Sequence, residues 1–161
     1  MFTNFEIMSK QSQSPVSFFF LSDRITLKGR NKLKIFIRNF LKGQGKKPAA
    51  INYIFCTDQY LLAINKKYLK HNYYTDIITF DLSDTKKELK AEIYISVDRV
   101  KENARKLGLS FKSELHRVIF HGSLHLCGYK DKKADQKKIM REMESQLLDK
   151  YFKNVPRKTV S

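Results

Sequence analysis

Acidic residues are scarce in this chain. Sixteen Asp and Glu face 32 Lys and Arg among 161 residues, a formal net charge of +16. A surplus this large favours a polyanionic partner, by Coulomb attraction and by release of condensed counterions. Nucleic acid ranks ahead of an anionic membrane surface, and charge alone does not choose between RNA and DNA. Cysteine is scarce too: Cys56 and Cys127 cannot build a disulfide framework and fit a reducing cytoplasm. Long apolar runs are missing. The longest, Val16-Ser-Phe-Phe-Phe-Leu21, falls far short of the roughly 20 residues of a membrane span, and it lacks the context of a signal peptide. The expectation is a cytoplasmic protein, neither exported nor inserted in a membrane.

What remains suits one domain. Apolar residues make up 42% of the chain, enough for an ordinary core. Residues 1–15, with Gln11-Ser-Gln-Ser14 and Pro15, read as a flexible N-terminal segment, in which Met8 offers an alternative internal start. Residues 16–155 read as a single domain and 156–161 as a C-terminal tail.

Periodicity supplies the elements. Val16–Leu21 and Ile51–Cys56 read as strands, as do Asp76–Phe80 and Ala91–Ile95, the last two joined by a polar, Lys-rich, hairpin-like link. Leu33, Phe36, Ile37, Phe40 and Leu41 recur at helical spacing over 29–42, and Gly43-Gln-Gly45 stops that helix. A second helix over 59–70 is capped by Thr57 or Asp58, a third over 97–107 by Ser96, and a fourth over about 111–127 by Ser110. A last helix over 132–152 turns Ile139, Met143, Leu147 and Leu148 inward and its lysines outward. The fold class is α+β: one mixed four-stranded sheet packed with about five helices.

The fourth helix carries the chemistry. Residues four apart on a helix lie one turn up and about 40° round, so His121 and His125 share a face. Two imidazoles so placed reach one tetrahedral ion, with bonds of about 2.0–2.1 Å. Gly128 lets the chain turn back, Tyr129 and Lys130 make the turn, and Asp131 arrives with a carboxylate. The pattern H-x3-H-x2-G-x2-D names His121, His125 and Asp131 as metal ligands, zinc first, with a fourth position open as in catalytic sites. It makes this a metzincin-like metal-binding helix. The glutamate that serves metzincin proteases as general base is replaced by Gly122, which argues against peptide hydrolysis. Asp131 also suits the N-cap of the helix that follows.

Three blocks resemble one family. Glu114-Leu-His-Arg-Val-Ile-Phe-His-Gly-Ser-Leu-His-Leu-Cys-Gly-Tyr129 is similar to the core motif of the bacterial YbeY endoribonucleases. Ile64-Asn65, Tyr68 and Thr75-Asp-Ile-Ile-Thr-Phe80 resemble a second family block, and Ala91-Glu-Ile-Tyr-Ile-Ser96 a third. The resemblance implies a zinc-dependent endoribonuclease for single-stranded RNA. It further implies action on the 3′ end of small-subunit rRNA and in ribosome quality control, with the ribosome or its small subunit as partner. It carries the ligand role to His121 and His125. The family's third histidine falls on Asp131, and its arginine after the second block falls on Leu69, with Lys70 and His71 the nearest replacement cations.

The implied reaction is metal-assisted phosphodiester hydrolysis, in which a basic side chain stabilises developing charge. No general base is evident. Glu114 lies roughly 10 Å along the helix from His121 and reads as a cap or surface residue. His116 and Cys127 each face about 140° away from the site, His116 as a structural residue and Cys127 as a buried one. Ser123 bonds within the site or back to its own helix. Tyr73 and Tyr74 either stack on bases or pack. The competing reading is a non-catalytic, zinc-stabilised basic factor that binds rRNA or the ribosome.

Overall fold

The structure is a computed structural model that describes residues 14–153. The expectations for 1–13 and 154–161, the alternative start at Met8 included, lie outside the described residues. Ser14 and Pro15 are tied to the first strand: Ser14 Oγ accepts from Val16 N–H, and the Pro15 carbonyl accepts from Ile51 N–H at 2.7 Å.

The chain runs β1 (Val16–Phe20), α1 (Arg30–Gly43), β2 (Pro48–Cys56), α2 (Asp58–Leu69), β3 (Ile77–Asp81), β4 (Leu89–Ser96), α3 (Val97–Leu107), α4 (Phe111–Leu126), α5 (Ala134–Phe152). The strands form one sheet in the order β1-β2-β4-β3. β1 pairs parallel with β2 and β2 with β4, while β3 returns antiparallel on β4. The expected α+β class with a mixed four-stranded sheet and five helices is what the described residues form. The Asp81–Lys90 link is the hairpin connection foreseen from its polarity.

β2 and β4 are the central strands, so their side chains are buried on both faces. Period-two alternation sorts those side chains into two layers. Tyr53, Phe55, Ile93 and Ile95 join Leu33, Ile37 and Leu41 of α1, Leu115 and Ile119 of α4 and Leu147 of α5. Ile54, Cys56 and Tyr94 meet Leu61 and Ile64 of α2 on the other face. The side chains of Thr57, Ser96 and Ser110 cap α2, α3 and α4 as their residue types predict.

Three expectations are corrected. α5 begins at Ala134 behind Lys133, whose N–H donates to the Gln136 side chain, so Asp131 is not its cap. Its buried face is Met140, Glu144, Leu147 and Tyr151, whereas Ile139 is half exposed. Leu147 is buried and Met143 and Leu148 pack against the core as expected, but Glu144, a carboxylate, also occupies an inward position because it has partners there. Cys127 is half-buried rather than buried.

Candidate metal centre and cleft

α4 ends in a turn that the sequence dictates. Gly128 takes φ 92°, a left-handed conformation that a side chain would strain. Gly128 N–H donates to the His125 carbonyl and Tyr129 N–H to the Leu124 carbonyl, 3.0 and 3.1 Å. The chain doubles back, the Tyr129 carbonyl accepts from His125 Nδ1–H at 2.9 Å, and Asp131 returns over the helix.

His121, His125 and Asp131 then converge. Their Nε2, Nε2 and Oδ2 atoms lie 2.9, 3.2 and 3.4 Å apart. A carbonyl and a carboxylate only accept, so His125 carries its proton on Nδ1 towards Tyr129, and His121 carries its own on Nδ1 towards Glu144 Oε1 at 2.6 Å. In the neutral rings both Nε2 atoms then present lone pairs. Two lone pairs and a carboxylate oxygen facing one another repel unless a proton or a metal cation lies among them. Tetrahedral bonds of about 2.0–2.1 Å set ligand atoms about 3.3–3.4 Å apart, close to the separations found. The donor set fits a divalent metal ion, and this group is the metal-competent cluster found among the described residues.

Sequence reasoning missed the supporting layer. Glu144 sits on α5 and bridges His121 to Arg117, whose Nη1 lies 3.1 Å from Glu144 Oε2. Arg117 also grips Glu114 with two bonds of 2.6 and 2.9 Å and lies 3.8 Å from Asp76. Glu114, expected as a cap or surface residue, is fully buried because the guanidinium neutralises it. The bonds to Glu114 first, and the charge of Glu144 beside them, hold Arg117 more firmly protonated than usual. Burial pushes the Asp76 carboxyl up, against the lowering pull of Arg117 and His121. A signal was available: Glu114 and Arg117 are an i,i+3 charge pair on the helix that carries both histidine ligands, and Glu144 is four residues from Met140 on the buried stripe.

Gly122 is explained by packing. A Cβ there would lie 3.0 Å from Ile93 Cγ2 and 3.1 Å from Ile77 Cδ1. The position after the first histidine faces the sheet, and a glutamate could not act as a base from it. Ser123 also turns inward, with its Oγ 2.5 Å from the buried Tyr53 hydroxyl and 3.4 Å from the Ile119 carbonyl. His116 is buried against Tyr151, Phe120 and Phe152, the structural role expected of it.

The trio opens onto a cleft of about 630 Å³, bounded by α4, edge strand β3 and the loop after α2. Asn65, His71, Tyr73, Asp76 and Lys132 line it, and Leu69 contributes to its wall. Buried Asn65 shapes the loop: its amide donates to the Tyr73 carbonyl at 2.9 Å, and its own carbonyl accepts from Lys70 and His71 N–H. Lys70 takes the left-handed cap of α2 with φ 58° and is not among the residues lining the cleft, whereas His71 is. His71 stacks on Tyr73 and shares a 3.0 Å bond with its hydroxyl. Tyr74 is half exposed, with the Arg99 guanidinium over its ring.

Comparison with known proteins agrees with this architecture. The family model described as endoribonuclease YbeY matches residues 22–152. The endoribonuclease YbeY of Cytophaga hutchinsonii is 46% identical over 128 residues, 79% of this chain and 90% of that one. That of Bacteroides thetaiotaomicron is 46% identical over 112 residues, 70% of this chain and 81% of that one. The solution structure of a Thermotoga maritima protein superposes with a TM-score of 0.56 at 26% identity, over 86% of this chain and 91% of that one. The chain belongs to the endoribonuclease YbeY family.

Proposed function

We propose that the protein is a zinc-dependent endoribonuclease for single-stranded RNA, acting at the 3′ end of small-subunit rRNA and in ribosome quality control. Family membership supports the endoribonuclease. The observation that carries the metal-dependent mechanism is the convergence of two histidine nitrogens and the Asp131 carboxylate at the cleft. The ribosome or its small subunit is the proposed partner and the cytoplasm the proposed compartment. The +16 charge supports a nucleic-acid partner. Among the described residues no helix is long and apolar enough to cross a membrane.

In this reading His121, His125 and Asp131 hold the ion. When bound, it supplies Lewis acidity that makes water a better nucleophile and polarises a phosphoryl oxygen. The protein does the rest. Glu144 and the Tyr129 carbonyl fix the two imidazoles in the tautomer that ligation needs. Lys132 offers positive charge and His71 a ring nitrogen to the phosphodiester at the cleft, and Lys70, next to His71, is the other candidate for a phosphate contact. Tyr73, more than half exposed, offers a ring on which a base stacks.

The apolar wall at Leu69, where the family's arginine is expected, favours a second reading: a metal-stabilised rRNA- or ribosome-binding factor without turnover. One assay separates the two. Purified protein with zinc is expected to cut single-stranded RNA, and His121→Ala is expected to stop it. No cleavage by the wild type, with RNA binding retained, supports the second reading. Equal cleavage by wild type and His121→Ala points to a contaminating nuclease and removes the enzyme.

A further inference from the structure

Behind the trio, on the side away from the loop after α2, lies a smaller pocket of about 170 Å³. His121, Asp131 and the buried Glu144 form one wall, and Lys137 and Arg141 of α5 form another. The two cations are four residues apart, so they share a face of the helix. Arg117 also borders this pocket, but Glu114 and Glu144 take up its hydrogen bonds. Neither Lys137 nor Arg141 meets a carboxylate among the described residues, so their charge is available to a ligand. The larger cleft is different: Asp76, Asp81 and Asp131 line it against Lys132 and His71.

From this asymmetry we infer that Lys137 and Arg141 form a phosphate-binding subsite beside the metal centre, which holds the backbone of a single-stranded RNA as it leaves the trio. A polyanion crossing three carboxylates needs compensation on one flank, and α5 supplies it within the pocket that His121 and Asp131 share. The subsite reads no sequence, since its groups address phosphate alone. The inference rests on the proposed RNA-cleaving function.

The test is binding of a phosphorothioate oligoribonucleotide, which keeps its charge and resists cleavage, to zinc-loaded protein across a salt series. Lys137→Ala/Arg141→Ala is expected to weaken binding about tenfold at low salt. It is expected to reduce the slope of log K against log salt by about 1.4, on the basis of about 0.7 per phosphate contact on a single strand. Zinc content should stay at the wild-type level, and Lys137→Arg/Arg141→Lys should keep the slope. Lys86→Ala/Lys87→Ala, in the β3–β4 link and outside the lining of both the cleft and the smaller pocket, provides a control of equal charge change. An unchanged slope in the α5 variant, or an equal loss in the hairpin control, overturns the subsite while wild-type cleavage of RNA leaves the functional reading standing. Failure of the wild type to bind or cut RNA removes both.

Discussion

Glu144 Oε1 lies 2.6 Å from His121 Nδ1, and the other oxygen of the same carboxylate lies 3.1 Å from Arg117. One buried side chain therefore joins a ligand imidazole to a buried guanidinium. The bond fixes the ring plane and makes Nε2 the lone-pair nitrogen, and the negative charge raises the basicity of that nitrogen. Glu144→Gln keeps the shape and an acceptor but removes the charge. Zinc affinity is expected to fall about 10–100-fold, the usual cost of losing such an outer partner. Competition titration against a chromogenic chelator measures it, with circular dichroism to show that the fold persists. Wild-type affinity in Glu144→Gln would assign Glu144 to packing alone.

Gly122 tests why the helix can approach the sheet. The Cβ contacts at 3.0 Å to Ile93 and 3.1 Å to Ile77 leave no room for a branched side chain. Gly122→Val is expected to destabilise the protein by about 1–3 kcal/mol through overpacking. The gain in helix propensity of Val over Gly, a few tenths of a kcal/mol, offsets little of it. Urea unfolding of metal-free protein measures the change. A neutral or stabilising outcome would show that α4 can shift away from β3 and β4 without cost.

Much of this was legible in the sequence, because local rules decide it. Thr57, Ser96 and Ser110 announce their helices as caps, and Gly128 announces the turn that returns Asp131. The i,i+4 spacing of His121 and His125 fixes their shared face whatever surrounds them. The supporting layer was not legible, because it is made by contacts between elements far apart in the chain. Glu144 reaches His121 across 23 residues, and Arg117 reaches Asp76 only through tertiary packing. Rules that place charge outside and apolar groups inside read Glu114 as exposed and Ile139 as buried. Both errors have one cause: a carboxylate can be buried where a guanidinium meets it, and then the apolar stripe shifts round the helix.

His116 sets a pH dependence that belongs to the fold rather than to the site. Burial lowers its pKa below the ordinary 6.5; the Nδ1–H bond to the Lys112 carbonyl opposes this, and the charges of Lys112 and Lys32 add to the lowering. A depressed folded-state pKa means that the unfolded chain takes up the proton first as pH falls. The stability is present in full above 6.5 and is lost as pH drops through the lowered value. His116→Phe lacks this proton uptake and keeps an aromatic ring against Tyr151. Between 6.5 and the lowered value, the stability difference between wild type and His116→Phe is expected to move in the variant's favour by up to about 1.4 kcal/mol per pH unit as pH falls. Urea midpoints at pH 7.5 and 5.5 with metal removed measure it, and the other histidines cancel in the difference. Parallel pH profiles would show that His116 ionises as readily in the fold as outside it.

Asp131 stands where the family resemblance implies a histidine, and metal binding can weigh its role as a ligand. Its Oδ2 lies 3.2 and 3.4 Å from the two Nε2 atoms. A ligand that binds only the folded state stabilises it by about 2.7 kcal/mol at one hundred times its dissociation constant. For a chain of this size that is a rise of about 5–10 °C in melting temperature. Zinc at that excess is expected to give the full rise in wild type, and a chelator is expected to reverse it. Asp131→Ala leaves two imidazoles, which should lower affinity and shrink the rise at the same zinc concentration. Asp131→His restores a third donor and should regain most of it. If Asp131→Ala melts with the same zinc-dependent rise as wild type, the carboxylate is no ligand, and the third donor must be sought among water or the groups of the cleft.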